Sequence, residues 1–373
     1  MALSKIDVAN MVENEMPQAN IANNVNIRNI IINGDMSIAQ RGSSSTNVST
    51  GYHTCDRWRI FRGAGTITMS QETDAPTGSG LVKSVKFLEA GSGSSPSAGD
   101  RNFLQHRIEG QNLQYIKKGT SSAEKLTLSF HVKSTVTGTY IAELYDQDNT
   151  RQVSKAYTIS SANTWEYKTI TFPADTSGTL DNDSANSMNL NLYFTVGSNF
   201  TSGTLNTTWN SVTDANRAAG QVNVVASANG AIQWTGVQLE VSDTASDFEF
   251  LPTDVSLDRC KRYFQKTYPL INSPGADTDD GMVFNRINSN FTNKPYPARF
   301  EKEVRTNSPT ITIYSKTGVS GSASNFATTA SHSSNDALGT ISNIGSTGFG
   351  YIGSHGGSSG DGFGIHYTVD AEL

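Results

Sequence analysis

The feature that most constrains this chain is a two-residue alternation of apolar and polar side chains, recurring in short runs separated by turn residues. Leu126, Leu128, Phe130 and Val132 alternate with Thr127, Ser129 and His131, and Leu190, Leu192, Phe194 and Val196 alternate with Asn189, Asn191, Tyr193 and Thr195. Such a period places every apolar group on one face of a β-strand. In the segment AIQWTGVQLEV, Ile232 and Trp234 keep one phase while Val237, Leu239 and Val241 keep the other, with the slip at Thr235-Gly236. A β-bulge at that point restores both sets to a single face, and glycine is the residue a bulge favours. Leu128, Phe130, Leu192, Phe194, Trp234 and Leu239 are therefore expected to share one buried core. Many short alternating strands between Gly, Asn, Asp and Ser turns predict an all-β chain with a jelly-roll-like β-sandwich.

The rhythm breaks at residues 254–268, where Leu257, Cys260 and Phe264 fall at helical spacing and predict a connecting helix. A smaller C-terminal β domain is expected over 269–373. Its last run alternates Phe363, Ile365, Tyr367, Val369 and Ala371 with Gly364, His366, Thr368, Asp370 and Glu372, so the terminal strand should close the module. His131 and His366 fall on the polar phases and are expected to face solvent. Before the sandwich, assigned to residues 37–253, lies a short N-terminal arm over 1–36. Ile6, Ala9, Val12 and Met16 hint at a short helix there, and the apolar run Ile27 to Ile32 ends at the turn pair Asn33-Gly34. No period of 20–50 residues recurs, which argues against a solenoid, a propeller or a stacked β-helix.

Composition narrows the function classes. Charged residues make up 17% of the 373 positions, below the usual level of about 25%. A net charge of −6 argues against a nucleic-acid partner, which needs clustered Lys and Arg. Cys55 and Cys260 fit neither a zinc pattern nor a disulfide framework, as expected for folding in a reducing cytoplasm. Neither a signal-peptide pattern nor a membrane-spanning apolar run is evident, so membrane insertion is not expected.

Few motifs point to chemistry. GFGYIG at residues 348–353 matches the dinucleotide fingerprint in letters, but a strand-like run follows where that motif needs a helix. DTDDG at 277–281, Asp146-Gln147-Asp148-Asn149 and Asp181-Asn182-Asp183 have calcium-loop character but lack the full ligand pattern, and read as solvated turns. The six histidines show no zinc spacing, and no nucleophile elbow or kinase signature occurs. Trp58, Trp165, Trp209 and Trp234 read as core residues. No cofactor, metal or catalytic residue is expected. Residues 345–366 interleave nine glycines with Phe349, Tyr351, His355, Asp361 and His366, a composition suited to a receptor-contacting loop.

Several stretches, in order, resemble the tail-fibre and receptor-binding proteins of tailed bacteriophages, especially those of marine bacteria. ALSKIDVANM is similar to the start of such fibres, and NIIINGDMSIAQRG with Asp56-Arg57-Trp58 to the entry of their sandwich. QHRIEG, LSFHVKS and VQLEV with Asp247-Phe248-Glu249 continue the likeness, DRCKRYFQK resembles the connector, and Pro297-Ala298-Arg299-Phe300, Val304-Arg305-Thr306 and Ser308-Pro309-Thr310 resemble the opening of a fibre tip. The chain departs from longer relatives in lacking a Gly-rich repeated shaft. The resemblance implies a non-enzymatic virion structural protein, folded in the host cytoplasm and assembled as a homotrimer beside other tail, baseplate or head proteins. It also implies attachment through the arm, with Ile27, Ile30, Ile31 and Ile32 as the docking residues. Host contact, with a surface glycan or other receptor, would then fall in the C-terminal domain, with Tyr351, His355 and Asp361 as the candidate set. The alternatives are a head fibre or decoration protein without receptor contact, and a polysaccharide depolymerase, which needs catalytic carboxylates about 5–10 Å apart.

Overall fold

A computed structural model describes residues 27–286, 296–326, 332–353 and 362–373. Among these, the first module holds β1 (Ser44–Ser45), β2 (Gly51–Tyr52), β3 (Trp58–Phe61), β4 (Ile67–Glu72), β5 (Ser84–Glu89), β6 (Arg101–Glu109) and β7 (Leu126–Ser134). It continues with β8 (Gly138–Asp146), β9 (Arg151–Ile159), β10 (Glu166–Phe172), β11 (Asn186–Val196), β12 (Asn210–Ser211) and β13 (Ala231–Val241). They form two antiparallel sheets, in the orders β1-β4-β5-β13-β7-β10 and β12-β9-β8-β11-β6-β3-β2. The sheets pack face to face as a jelly-roll-like β-sandwich, the stacked rings of Phe87 and Phe194 meeting across the core at 5.2 Å.

The alternation sets that core. Leu128, Phe130, Leu192, Phe194, Trp234 and Leu239 are fully buried in one cluster. The register of β13 against β7 shifts between Thr235 and Gln238, with Gly236 at φ 61°. The bulge brings Ile232, Trp234, Val237 and Leu239 into the same cluster despite their opposite phases. A side chain at Gly236 would need the left-handed backbone and would place its Cβ 2.7 Å from Leu81 Cδ1.

The apolar run before the sandwich is part of it. β5 pairs with β13 only as far as Trp234, and beyond the bulge residues 29–34 take up the vacated edge. Ile30 N donates to Leu239 O at 2.9 Å and Val237 N to Gly34 O at 2.9 Å. The Asn29 side chain accepts from Ile31 N and Leu239 N and donates to Val237 O. Ile30 and Ile31 enter the sandwich core, while Ile32 joins Ile38, Cys260 and Tyr263 in a smaller cluster. The expected boundary at residue 36 is therefore corrected: a run this apolar is more stable buried than displayed. Only Ile27, 41% exposed, remains available, and residues 1–26 lie outside the described residues.

The connecting helix α1 spans Thr253–Lys261, shorter than expected, because Phe264–Lys266 forms strand β14 instead. The second module adds β15 (Val283–Arg286), β16 (Tyr296–Arg299), β17 (Thr310–Tyr314), β18 (Ser322–Phe326), β19 (His332–Gly345), β20 (Gly348–Gly353) and β21 (Gly362–Asp370). β21 lies at the centre of this module, pairing with β14, β15, β17 and β18. Ile365, Tyr367, Val369 and Ala371 enter its core as the alternation requires. His366 does not face solvent. Its ring is fully buried, stacked on Tyr268 at 3.8 Å, with Nδ1 beside the Thr267 hydroxyl (3.0 Å) and Nε2 beside Thr278 O (3.0 Å).

Polar contacts tie the modules together. Glu372 pairs with Arg57 and, at 3.3 Å, with Arg41, while Arg41 also reaches Asp370 at 3.1 Å. Gln40 Nε2 donates to Phe264 O at 2.7 Å, and Arg262 forms a two-point pair with Glu109.

Candidate functional site

Among its described residues, the segment expected to be a Gly-rich contact loop is largely strand. In GFGYIG, Phe349 and Tyr351 point into the second module's core, where both are buried. Two of the alternate positions, Gly348 and Gly350, carry no side chains. β20 pairs with β16 on one side (Arg299 opposite Gly348, Pro297 opposite Gly350) and with β19 on the other. The result is a groove of about 300 Å³ lined by Pro297, Arg299, Asn343, Thr347 and the bare backbone of Gly348 and Gly350. Pro297, Arg299, Asn343 and Thr347 are all exposed. Residues 348–353 are themselves a strand paired on both sides rather than a strand-to-helix turn, so the letter match to a dinucleotide fingerprint has no structural counterpart.

A groove of this make-up offers one cation with five donors, an amide and a hydroxyl, beside the partly exposed backbone of Gly348. Gly348 is fixed by its neighbour, since a Cβ there would lie 2.4 Å from Ala298 O. Asn343 sits at φ 49°, in the left-handed region that Asn tolerates better than most residues.

Of the three expected contact residues, Tyr351 is corrected. It is fully buried, its hydroxyl accepts a hydrogen bond from Asn285 Nδ2, and burial pushes its pKa up. His355 and Asp361 lie outside the described residues. The signal for Tyr351 was present in the sequence, because Phe349 and Tyr351 share the parity of a core face.

The Asp-rich turn at 146–149 is already occupied by a cation from the chain itself. The Lys118 ammonium pairs with Asp146, with Asp175 at 3.0 Å, and with the carbonyl oxygens of Ser177 (3.1 Å) and Gly178 (2.8 Å). Asp148 accepts from Asp181 N, so the turns at 146–149 and 181–183 are joined to one another. In the 277–281 turn, Asp277 pairs with Lys316 at 3.0 Å. No group of three or more His, Cys, Asp or Glu side chains that could hold a metal occurs among the described residues.

Trp58 and Trp234 are core residues as expected, whereas Trp165 and Trp209 are only partly buried and lie beside lysines. Trp165 Nε1 donates to Asp74, and Trp209 lies 5.0 Å from the Lys118 ammonium. Cys55 and Cys260 are free, buried thiols, and burial pushes both pKa values up. On the outer face of β8, Glu143 takes both ends of Arg217 at 2.8 Å together with Asn191 (2.8 Å) and Tyr193 (2.9 Å).

No family model matches the chain, and no curated protein matches it. Among solved structures, the chain is similar to the enzymatically active domain of tailspike protein 4 of bacteriophage CBA120. Identity is 16%, the match covers 57% of this chain and 21% of that one, and the TM-score is 0.31. It is also similar to a family 11 carbohydrate-binding module of Clostridium thermocellum bound to a mixed-linked tetrasaccharide (13% identity, 54% and 96% covered, TM-score 0.28). The tripod from the baseplate of bacteriophage Tuc2009 is a third (13% identity, 60% and 58% covered, TM-score 0.25). The chain thus spans about one fifth of the tailspike chain it matches.

Proposed function

We propose that this chain is a non-enzymatic receptor-binding protein of a tailed-phage virion, a homotrimeric tail fibre that takes a host surface glycan on its second module. The observation that carries this reading is the groove over Gly348 and Gly350, flanked by Arg299, Asn343 and Thr347. Its volume of about 300 Å³ is at the lower bound of the usual ligand range, roughly 300–1,000 Å³, and suits one or two sugar units. The ordered series of fibre-like segments in the sequence supports the virion setting. The commitment of Glu143 to Arg217, Asn191 and Tyr193 favours binding over hydrolysis at the outer face of β8, because a catalytic carboxylate needs a free oxygen.

Attachment to the particle remains assigned to the N-terminal segment, now reduced to Ile27 and the residues before it. Ile30, Ile31 and Ile32 serve the fold instead.

The test replaces Arg299 and Thr347 together by Ala, two exposed side chains outside the core. Each polar contact contributes about 1 kcal/mol, and a trimer engaging several sites multiplies the loss. Variant particles should assemble normally and adsorb to host cells far less than the parent. Undiminished adsorption by correctly assembled particles would refute this placement of the receptor site.

A further inference from the structure

A second cavity, of about 330 Å³, lies where residues 27–32, strand β6 and helix α1 meet. It is independent of the groove on the second module. Its lining includes four guanidinium groups, Arg57, Arg107, Arg259 and Arg262, with no Asp or Glu among the described residues. In a chain with a net charge of −6, that concentration of one sign is local and specific.

Two of the four cations are neutralised by acids that do not line the cavity. Arg57 pairs with Glu372 and stacks on Tyr263 at 3.5 Å, while Arg262 holds Glu109 with two hydrogen bonds of 2.9 and 2.8 Å. Arg107 donates to Gln105 Oε1 (2.9 Å) and to the Leu373 backbone oxygen. Arg259 is the exception. Among the described residues it makes no ion pair, and its Nη2 reaches only the Asn29 carbonyl, at 3.5 Å. Burial lowers its pKa, as expected for a partly desolvated cation without a close carboxylate.

The other lining groups complete a mixed surface. His106 is buried with its Nε2 accepting from Ile32 N, so Nδ1 carries the proton of the neutral ring and has no partner among the described residues. Burial, reinforced by Arg57, holds its pKa well below the ordinary value. Arg57 Nε is a second buried donor without a partner. Tyr115, 49% exposed, stands at the cavity, and Ile27 and Ile108 add apolar surface.

We infer that this cavity binds a sugar bearing a carboxylate, of the uronic-acid class, with the carboxylate taken by Arg259 and the ring resting against Tyr115. The guanidinium fork matches a carboxylate at two points. The volume exceeds what a bare inorganic anion fills, and a ring with apolar and polar edges suits a wall of Tyr, Ile and Asn.

The full-length chain is titrated at constant ionic strength with glucuronate, glucose and inorganic phosphate, following the melting temperature and the heat of binding. Glucuronate should bind saturably and raise the melting temperature, and glucose should do neither. Arg259→Ala should weaken glucuronate binding by about 10-fold or more, the share of one charge-assisted contact, while Arg259→Lys should retain part of it. Because Arg259 makes no ion pair among the described residues, both variants should melt close to the parent without ligand. Three results would each overturn the assignment: no saturable glucuronate binding, phosphate binding as tightly as glucuronate, or undiminished binding by Arg259→Ala.

Discussion

Lys118→Met tests the internal cation of the first module. The substitution keeps an unbranched side chain beside Trp209 but removes the ammonium shared by Asp146 and Asp175, whose side chains are 0% and 4% exposed. Burial pushes the Asp175 carboxyl up, but hydrogen bonds from Arg151 and Lys118 outweigh this and hold it below the usual range. Without Lys118, Arg151 still grips Asp175 with two bonds of 2.9 Å, whereas Asp146 keeps only the Asn149 amide and backbone N–H. The larger part of the loss therefore falls on Asp146. Removing one partner of a buried pair costs about 3–5 kcal/mol, since the remaining charge is left uncompensated in a poorly solvated site. For a module of this size each kcal/mol is worth about 2–4 °C, so the melting temperature should fall by about 6–20 °C. The assay is thermal unfolding by circular dichroism, with Lys118→Met/Asp146→Asn as the partner variant. The double variant should regain much of the loss, because neutralising the stranded carboxylate removes its cause. A single variant melting within about 2 °C of the parent would refute the reasoning.

Phe130→Ala opens the sandwich core beside Tyr157 and should cost about 3–5 kcal/mol, read as a lower denaturant midpoint. An unchanged midpoint would mean that β7 presents its other face. Glu372→Gln should leave Arg41 and Arg57 without their shared carboxylate and cost about 3–5 kcal/mol; trypsin should then cut the junction faster, and equal resistance would count against the latch. His366 is depressed by burial, so its folded pKa lies below its unfolded value. The stability it contributes is present above about pH 6.5 and is lost as pH falls toward the folded value. His366→Gln, which keeps hydrogen-bonding groups, should flatten the acid side of the stability profile measured between those limits, and an identical slope in both proteins would contradict the sign.

Alternation was legible because it depends only on the pleat. The run Leu126 to Val132 and the slip at Thr235-Gly236 are statements about which side chains share a face, and membership of the sandwich core follows them, with Leu126, Leu128, Phe130, Val132, Ile232, Trp234, Val237 and Leu239 in one cluster. What alternation does not carry is whether the opposite face is covered. His366 sits on the polar parity of β21, yet Tyr268 lies flat against its ring, and nothing local in the sequence announces that contact. The run Ile30 to Ile32 failed for a related reason: apolar composition says that a surface will be covered, not whether the cover belongs to the same chain. The clue was the bulge itself, since a strand that shifts register leaves an edge for another segment to pair with. The cluster of Arg57, Arg107, Arg259 and Arg262 was invisible because its members come from distant segments, three of them already neutralised or capped in ways that only the fold reveals.

The central position of β21 links the two modules physically. Four strands pair with it, including β14, which directly follows the helix leaving the sandwich. Just past its end, Glu372 reaches back to Arg41 and Arg57, and Arg57 in turn stacks on Tyr263 between helix α1 and β14. The same residues therefore close the second module and seat it on the first, so displacing β21 would break the sheet and the junction together. A junction of this kind suits the proposed trimeric receptor-binding role, in which contacts spread over several copies would add only when their spacing is preserved.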